Sequence, residues 1–172
     1  RVLVTAAAGS VGTAAIQLVR TLNGVPVAAV GSLEKRALPL SLGAVEAVTY
    51  EELGELEQVD AVFDLVGGDV FAASLSLLRP LGTAIAAGYA GGLWHDVSPT
   101  WLVGRNVGIH GFYLGRLVGR NPELVERAAQ DVLRLWEGGV VRPVVGAELP
   151  LEEAGDAHRL IEERRSTGKV VL

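Results

Sequence analysis

The sequence predicts an α/β fold, a doubly wound parallel sheet with helices on both faces. Three observations carry that expectation. Buried-strand runs alternate with helical segments in the order β-α-β-α-β-(α)-β-α-β over residues 2–87. Glycines fall just after several of those strands, where a parallel sheet turns into its helices. The first such junction, V-L-V-T-A-A-A-G-S-V-G at residues 2–12, has the strand, small-residue turn and helix start of a phosphate-cradling, Rossmann-type domain.

Taken in order, residues 2–5 are apolar and β-branched without a charge, as a strand buried on both faces requires. Val11, Ala14, Ala15, Leu18 and Leu22 then recur at helical spacing, and Asn23-Gly24 makes a left-handed stop. Residues 25–30 form a second strand. Ser32 caps a helix over residues 33–42, which Pro39 kinks or shortens before Gly43 ends it. A short third strand covers residues 47–50, and the acidic stretch 51–60 is a surface loop or short helix. The fourth strand covers 61–66 and ends at Gly67-Gly68. A helix over 70–78 closes at Pro80 and Gly82, and the fifth strand covers 83–87, ending at Gly88-Tyr89. Residues 90–105 are glycine-rich with two tryptophans and read as loop, and 107–114 as a sixth strand. Asn121-Pro122-Glu123 supplies a cap, a first-position proline and an acid to a long helix that stops at Gly138-Gly139. In the tail, 140–145 and 169–172 read as strands around a helix over 151–165. The charges at 162–165 and Lys169 read as a solvated face.

Composition narrows the function classes. At 172 residues the chain is one domain, or one domain with a fragment of another, and 49% apolar residues suffice for a core. A net charge of −5 argues against nucleic acid or an anionic membrane as partner. No apolar run reaches membrane-spanning length and no signal peptide is visible, so a soluble cytoplasmic protein is expected. The chain has no Cys, hence no disulfide and no thiolate metal site. It has no Met either, and Arg1 opens directly on a strand, which suggests a trimmed start or a piece of a longer protein.

The candidate chemistry lies at the strand ends. Around Ala8, Gly9, Ser10, Val11 and Gly12, the turn aims the first free N–H groups of the helix at one point, where the helix dipole also favours an anion. Gly9 lets a pyrophosphate approach the backbone, and Gly12 lets the helix sit close on the strand. The pattern is A-x-G-x-x-G, with Ala7 in place of the first glycine, and a turn without any ligand is the competing interpretation. At the end of the second strand, where an acid would accept a ribose hydroxyl, stand Gly31 and Ser32, followed by Lys35 and Arg36. Small, hydroxylated and then basic favours NADPH over NADH, against which Glu34 and an ordinary exposed Lys-Arg pair are the counter-indications. Val66-Gly67-Gly68, Gly88-Tyr89 and Phe112-Tyr113 share the carboxyl edge, where glycines admit a nicotinamide and its ribose, although any single glycine is equally a plain turn. His95, His110 and His158 show no ligand spacing, so no metal is expected. Asp64 and Asp69 flank the fourth turn as possible backbone caps.

With those residues in view, the chain resembles the medium-chain dehydrogenase/reductase superfamily, in its zinc-free quinone oxidoreductase branch. The ordered pieces are V-L-V-T-A-A-A-G-S-V-G-T-A-A-I-Q-L at 2–18, S-L-E-K-R-A-L at 32–38 and L-G-A at 42–44. They continue with F-D-L-V-G-G-D-V-F at 63–71, N-P-E-L-V at 121–125, R-P-V-V at 142–145, P-L-E-E-A-G-D-A-H-R-L at 150–160 and the closing T-G-K-V-V-L. The resemblance implies that residues from Gly9 to Gly12 bind the pyrophosphate and that Lys35 and Tyr50 hold the 2′-phosphate of NADPH. It places Val66, Gly67, Gly88 and the Phe112 region along the nicotinamide half. It implies a small-molecule substrate, a quinone or enone, and a homodimer joined through the edge strand near 107–114.

Family members begin with a GroES-like β domain that supplies much of the substrate pocket, and this sequence starts at the first Rossmann strand instead. The resemblance therefore divides the chain into a dinucleotide-binding domain at 1–139 and a segment at 140–172 that completes the other domain. That segment is expected to leave its strands without their usual partners, exposing apolar edges that favour pairing with another copy or disorder, and the chain alone to be inactive. Two further functions stay open: a non-catalytic nucleotide-binding or interaction module, and a fragment of a zinc-dependent alcohol dehydrogenase relative.

Overall fold

The computed structural model describes residues 1–172. Six strands, β1 (Val2–Val4), β2 (Pro26–Val30), β3 (Glu46–Thr49), β4 (Val59–Asp64), β5 (Leu78–Ala86) and β6 (Gly108–Gly111), form one sheet in the order β3-β2-β1-β4-β5-β6. Every pairing is parallel. Chain order therefore reverses between β1 and β4, and the crevice beyond their carboxyl ends is where open α/β sheets take ligands.

Both faces of the sheet are dry, as the uninterrupted apolar strands require. Leu3, Val27, Ala29, Val62 and Ala84 pack on one face with Phe71 and Leu75 of α3 (Gly68–Ser76). Val4, Ala28 and Val30 pack on the other with Ile16 of α1 (Ser10–Thr21) and with Ala44. Neighbouring residues on a strand thus feed opposite cores, and all five residues of β2 are buried. This is the doubly wound α/β sheet that the alternation predicted.

Several stretches depart from the sequence-based expectation. The helix over 33–42 is a 3₁₀ turn, Leu33–Lys35, followed by the short α2 (Ala37–Ser41). Pro39 sits in the first turn of α2, where its missing N–H costs nothing. Tyr50 opens a 3₁₀ helix, Tyr50–Glu55, rather than ending β3, because Thr49 and Glu52 form a reciprocal capping box there. Residues 79–82 belong to β5 as a bulge: Val59 pairs with Leu78, but Ala61 pairs with Thr83.

The stretch 90–105 is not all loop. It contains α4 (Pro99–Arg105), whose Ser98 cap accepts from the Thr100 N–H at 3.2 Å and whose first residue is proline. The sixth strand is shorter than 107–114, since α5 (Leu114–Arg120) takes over its end. The long α6 (Pro122–Glu137) is present as expected, yet none of its residues is buried. No helix is long and apolar enough to cross a membrane.

The tail forms a small sheet of its own. The first tail strand is β7 (Val145–Glu148), not 140–145, and it pairs in parallel with β8 (Lys169–Val171). A 3₁₀ turn, Leu151–Glu153, and α7 (Ala154–Glu162) lie between them. The segment is also tied to the main sheet: Gln17 of α1 bonds both the N–H and the carbonyl of Arg142, each at 2.9 Å. Gly168 N–H donates to the Ala8 carbonyl at 2.7 Å and bridges Gly9 in parallel. Two copies of the chain are not needed to pair these strands.

Candidate functional site

At the end of β1 the chain reverses into α1 through Ala6, Ala7 and Ala8. Ala6 takes a left-handed φ of 46°, a conformation that costs a residue with a Cβ about 1–2 kcal/mol. The turn closes on itself, with Gly9 N–H donating to the Ala6 carbonyl at 2.9 Å. Gly12 then passes so close that a Cβ there would lie 2.2 Å from the same carbonyl, so no other residue fits. The result is a helix N-terminus aimed over the end of its own strand.

That terminus has the donors an anion needs. Gly9 supplies no side-chain cap, and the N–H groups of Ser10, Val11 and Gly12 have no backbone acceptor. Ser10 and Val11 are exposed, so these donors face solvent at the positive end of a 12-residue helix. Ala8 lies beneath, buried, its carbonyl occupied by Gly168.

Beyond β2 and β3 the structure sorts the basic residues. Arg36 is paired with Glu52, which also accepts the Thr49 N–H at 2.7 Å, so Arg36 serves the capping box rather than a ligand. Lys35 Nζ donates to the carbonyls of Arg164 at 2.5 Å and Ser166 at 2.9 Å, 129 and 131 residues further along the chain. Partial burial and the neighbouring Arg164 cation hold the Lys35 ammonium below its usual range. The Arg164 cation also acts on Tyr50, whose hydroxyl is pushed up by burial while the Ala6 N–H beside its oxygen pulls the other way. Glu34, exposed, is held below the usual carboxylate range by the nearby Ser32 side chain and its own backbone N–H. The charges at 162–165 are exposed, as expected of a solvated face, and it is the Arg164 backbone carbonyl that Lys35 bonds. Nothing local in the sequence marks that arginine; its place depends on Gly168 docking against Ala8 and Gly9.

Across the switch point lie Val66 and Gly67 after β4, Gly88 after β5 and Phe112 after β6. Val66 is buried, Phe112 is 45% exposed, and the Phe112 N–H donates to the Ala86 carbonyl at 2.9 Å. Gly67 has a φ of 74°, and a Cβ on it would lie 2.4 Å from the Leu93 carbonyl. The loop after β5 is thus seated directly on this turn, with Ala90 and Gly91 donating to the Leu65 and Val66 carbonyls at 3.1 and 2.8 Å. Every residue singled out from the sequence, from Ala8 to Phe112, falls at the same carboxyl edge of the sheet. Two cavities of about 340 and 440 Å³ lie elsewhere, one between α3 and α4 and the other against α1 and α2.

Asp64 and Thr5, on neighbouring strands, are both fully buried. Thr5 Oγ1 donates to Asp64 Oδ1 at 2.7 Å and accepts the Leu65 N–H at 2.8 Å, while Gly67 N–H donates to Asp64 Oδ2 at 2.8 Å. Burial pushes the Asp64 carboxyl above its ordinary range, against the pull of Thr5, Gly67 and Val66. For a zinc ion the donor set is lacking: the chain has no Cys, and no three His, Asp or Glu side chains come together.

Comparison with known proteins agrees with this geometry. Residues 42–172 match the family model described as zinc-binding dehydrogenase. The chain is 37% identical over 181 residues to quinone oxidoreductase-like protein 2 of Bos taurus, covering 99% of this chain and 52% of that protein. The quinone oxidoreductase of Thermus thermophilus, solved alone and in complex with NADPH, superposes with a TM-score of 0.88 at 40% identity, covering 99% of this chain and 57% of that one. The Escherichia coli quinone oxidoreductase complexed with NADPH gives a TM-score of 0.84 at 27% identity, covering 99% and 56%. The chain spans about half the length of these relatives.

The buried carboxyl generates a prediction with a definite sign. The folded value of Asp64 lies above the unfolded one, so the native state holds that proton more tightly. In the window between the two values, stability contributed by this group falls as pH rises, the reverse of an ion-paired carboxylate. Asp64→Asn is expected to be at least as stable as the parent at pH 7, with its advantage shrinking as pH falls into the carboxylate range. Urea midpoints at several pH values check this; a deficit of the same size at every pH would contradict it.

Proposed function

The chain belongs to the zinc-binding dehydrogenase family of the medium-chain dehydrogenase/reductase superfamily, alongside its quinone oxidoreductase-like members, and we propose that it holds NADPH for hydride transfer to a quinone or an activated alkene or carbonyl. The observation that carries this proposal is the meeting, at one sheet edge, of three helix N–H groups without a backbone acceptor and the Lys35 ammonium. Pyrophosphate suits the first and a 2′-phosphate the second.

Ser10, Val11 and Gly12 donate to the pyrophosphate, with Gly9 allowing its approach. Lys35 and Arg164 take the 2′-phosphate, beside Ser32 and Tyr50. Val66, Gly67, Gly88 and Phe112 flank the nicotinamide half. Bound NADPH supplies the hydride, and these residues orient its ring and exclude water from one side of it. Cofactor binding is proposed for this chain and turnover for a protein of the relatives' full length. A nucleotide-binding module without turnover is the second reading. Assaying NADPH oxidation with a simple quinone separates the two, since binding without turnover supports the module.

At the far edge β6 pairs only with β5 and leaves one side of its backbone free. A second copy joins there, strand to strand. Sedimentation equilibrium is expected to find a dimer; a single species of 18.0 kDa at every concentration would contradict it.

Calorimetric titration is expected to show NADPH bound more tightly than NADH. Lys35→Ala and Arg164→Ala should each weaken NADPH by about tenfold or more while leaving NADH nearly unchanged, the scale of one hydrogen bond to a charged group. Equal affinity for the two cofactors in the parent would remove the phosphate assignment.

A further inference from the structure

Asp64 is a buried carboxylate that the steps above do not use, and burying it has a cost that an apolar residue would avoid. Its position accounts for it. Val4 is the register partner of Phe63 across β1 and β4, so Thr5 and Asp64 are the next pair and sit at the switch point itself. Thr5 is the last residue before the left-handed Ala6 and the phosphate turn. Asp64 is the last residue of β4 before the turn that carries Val66 and Gly67.

Between them, two side chains hold two backbone N–H groups of that second turn. Thr5 Oγ1 accepts from Leu65 and Asp64 Oδ2 from Gly67, each at 2.8 Å. The Thr5 hydroxyl, donating to Asp64 at 2.7 Å, locks the two together. Gly67 needs such a grip, because its left-handed φ of 74° starts α3 without a side-chain cap. The loop after β5 rests on the same turn, so its seat is set by the same pair.

We propose that Asp64, acting with Thr5, is a positioning residue that fixes the nicotinamide turn in register with the phosphate turn across the switch point. The inference rests on the assignment of this edge to NADPH. A cofactor bound across both turns must span a fixed distance, and this pair is the direct side-chain tie between them. Loosening it leaves the phosphate turn, which closes through Gly9 and the Ala6 carbonyl, largely as it was.

The test uses the chain with two ligands, NADPH and 2′,5′-ADP, the second carrying the phosphorylated ribose without a nicotinamide. Affinities come from calorimetry, and the nicotinamide environment from NADPH fluorescence and its anisotropy. Thr5→Val is expected to weaken NADPH about tenfold and return its bound fluorescence towards that of free NADPH, with 2′,5′-ADP within about twofold of the parent. Asp64→Asn, which keeps an acceptor for Gly67, should give the same selectivity at about a threefold loss, and Thr5→Ser should restore parent behaviour. If Thr5→Val does not fold, the Asp64→Asn selectivity decides. Equal losses for both ligands, or no loss for either, would overturn the positioning role while leaving the NADPH assignment intact. Failure of the parent chain to bind either ligand would overturn the assignment and the inference together.

Discussion

The close approach of α1 to the end of β1 governs what this edge of the molecule can do. With 2.2 Å between the Ala6 carbonyl and the place a Gly12 Cβ would occupy, the helix can sit there only if position 12 is bare. That approach goes with the left-handed φ at Ala6, turns the chain over the strand end, and leaves the Ser10, Val11 and Gly12 N–H groups without a backbone acceptor. A helix with the same sequence set further back would bury those donors in its own loop or cap them with a side chain. The free donors at this helix start are therefore a consequence of packing rather than an addition to it.

Two long-range ties complete the edge. The Thr5–Asp64 pair joins the strands on either side of the switch point, and the tail, docking through Gly168 on Ala8, brings Arg164 beside Lys35. Each tie uses polar groups that would be costly alone. The carboxylate of Asp64 is stabilised by two donors, the Thr5 hydroxyl and the Gly67 N–H, and the Lys35 ammonium by two carbonyls.

Much of the edge was legible in the sequence because its demands are local. Small residues between a buried strand and an amphipathic run mark a tight strand-to-helix turn, and strands that are apolar throughout mark a sheet covered on both faces. Local signals were also present for α4, in Ser98-Pro99, but two tryptophans and the surrounding glycines obscured them. The bulge at 79–82 was masked by Pro80, which reads as a helix stop although here it lies on the bulged strand. Arg164 was not legible at all. Its partner lies 129 residues away, and its own neighbourhood of charges looks like any solvated helix end. The pairing of β7 with β8 was missed for a similar reason, since register between short strands in a tail is set by the turns and contacts that hold them rather than by their composition.

The most direct measurement is amide mapping by NMR on the ¹⁵N-labelled chain as NADPH is added. The Ser10, Val11 and Gly12 amides are expected to shift together and to exchange more slowly with solvent, as three free donors gain one ligand. Unchanged signals for those three, with shifts gathered instead around His95 and Trp101 at the cavity between α3 and α4, would contradict the assignment of the sheet edge as the cofactor site.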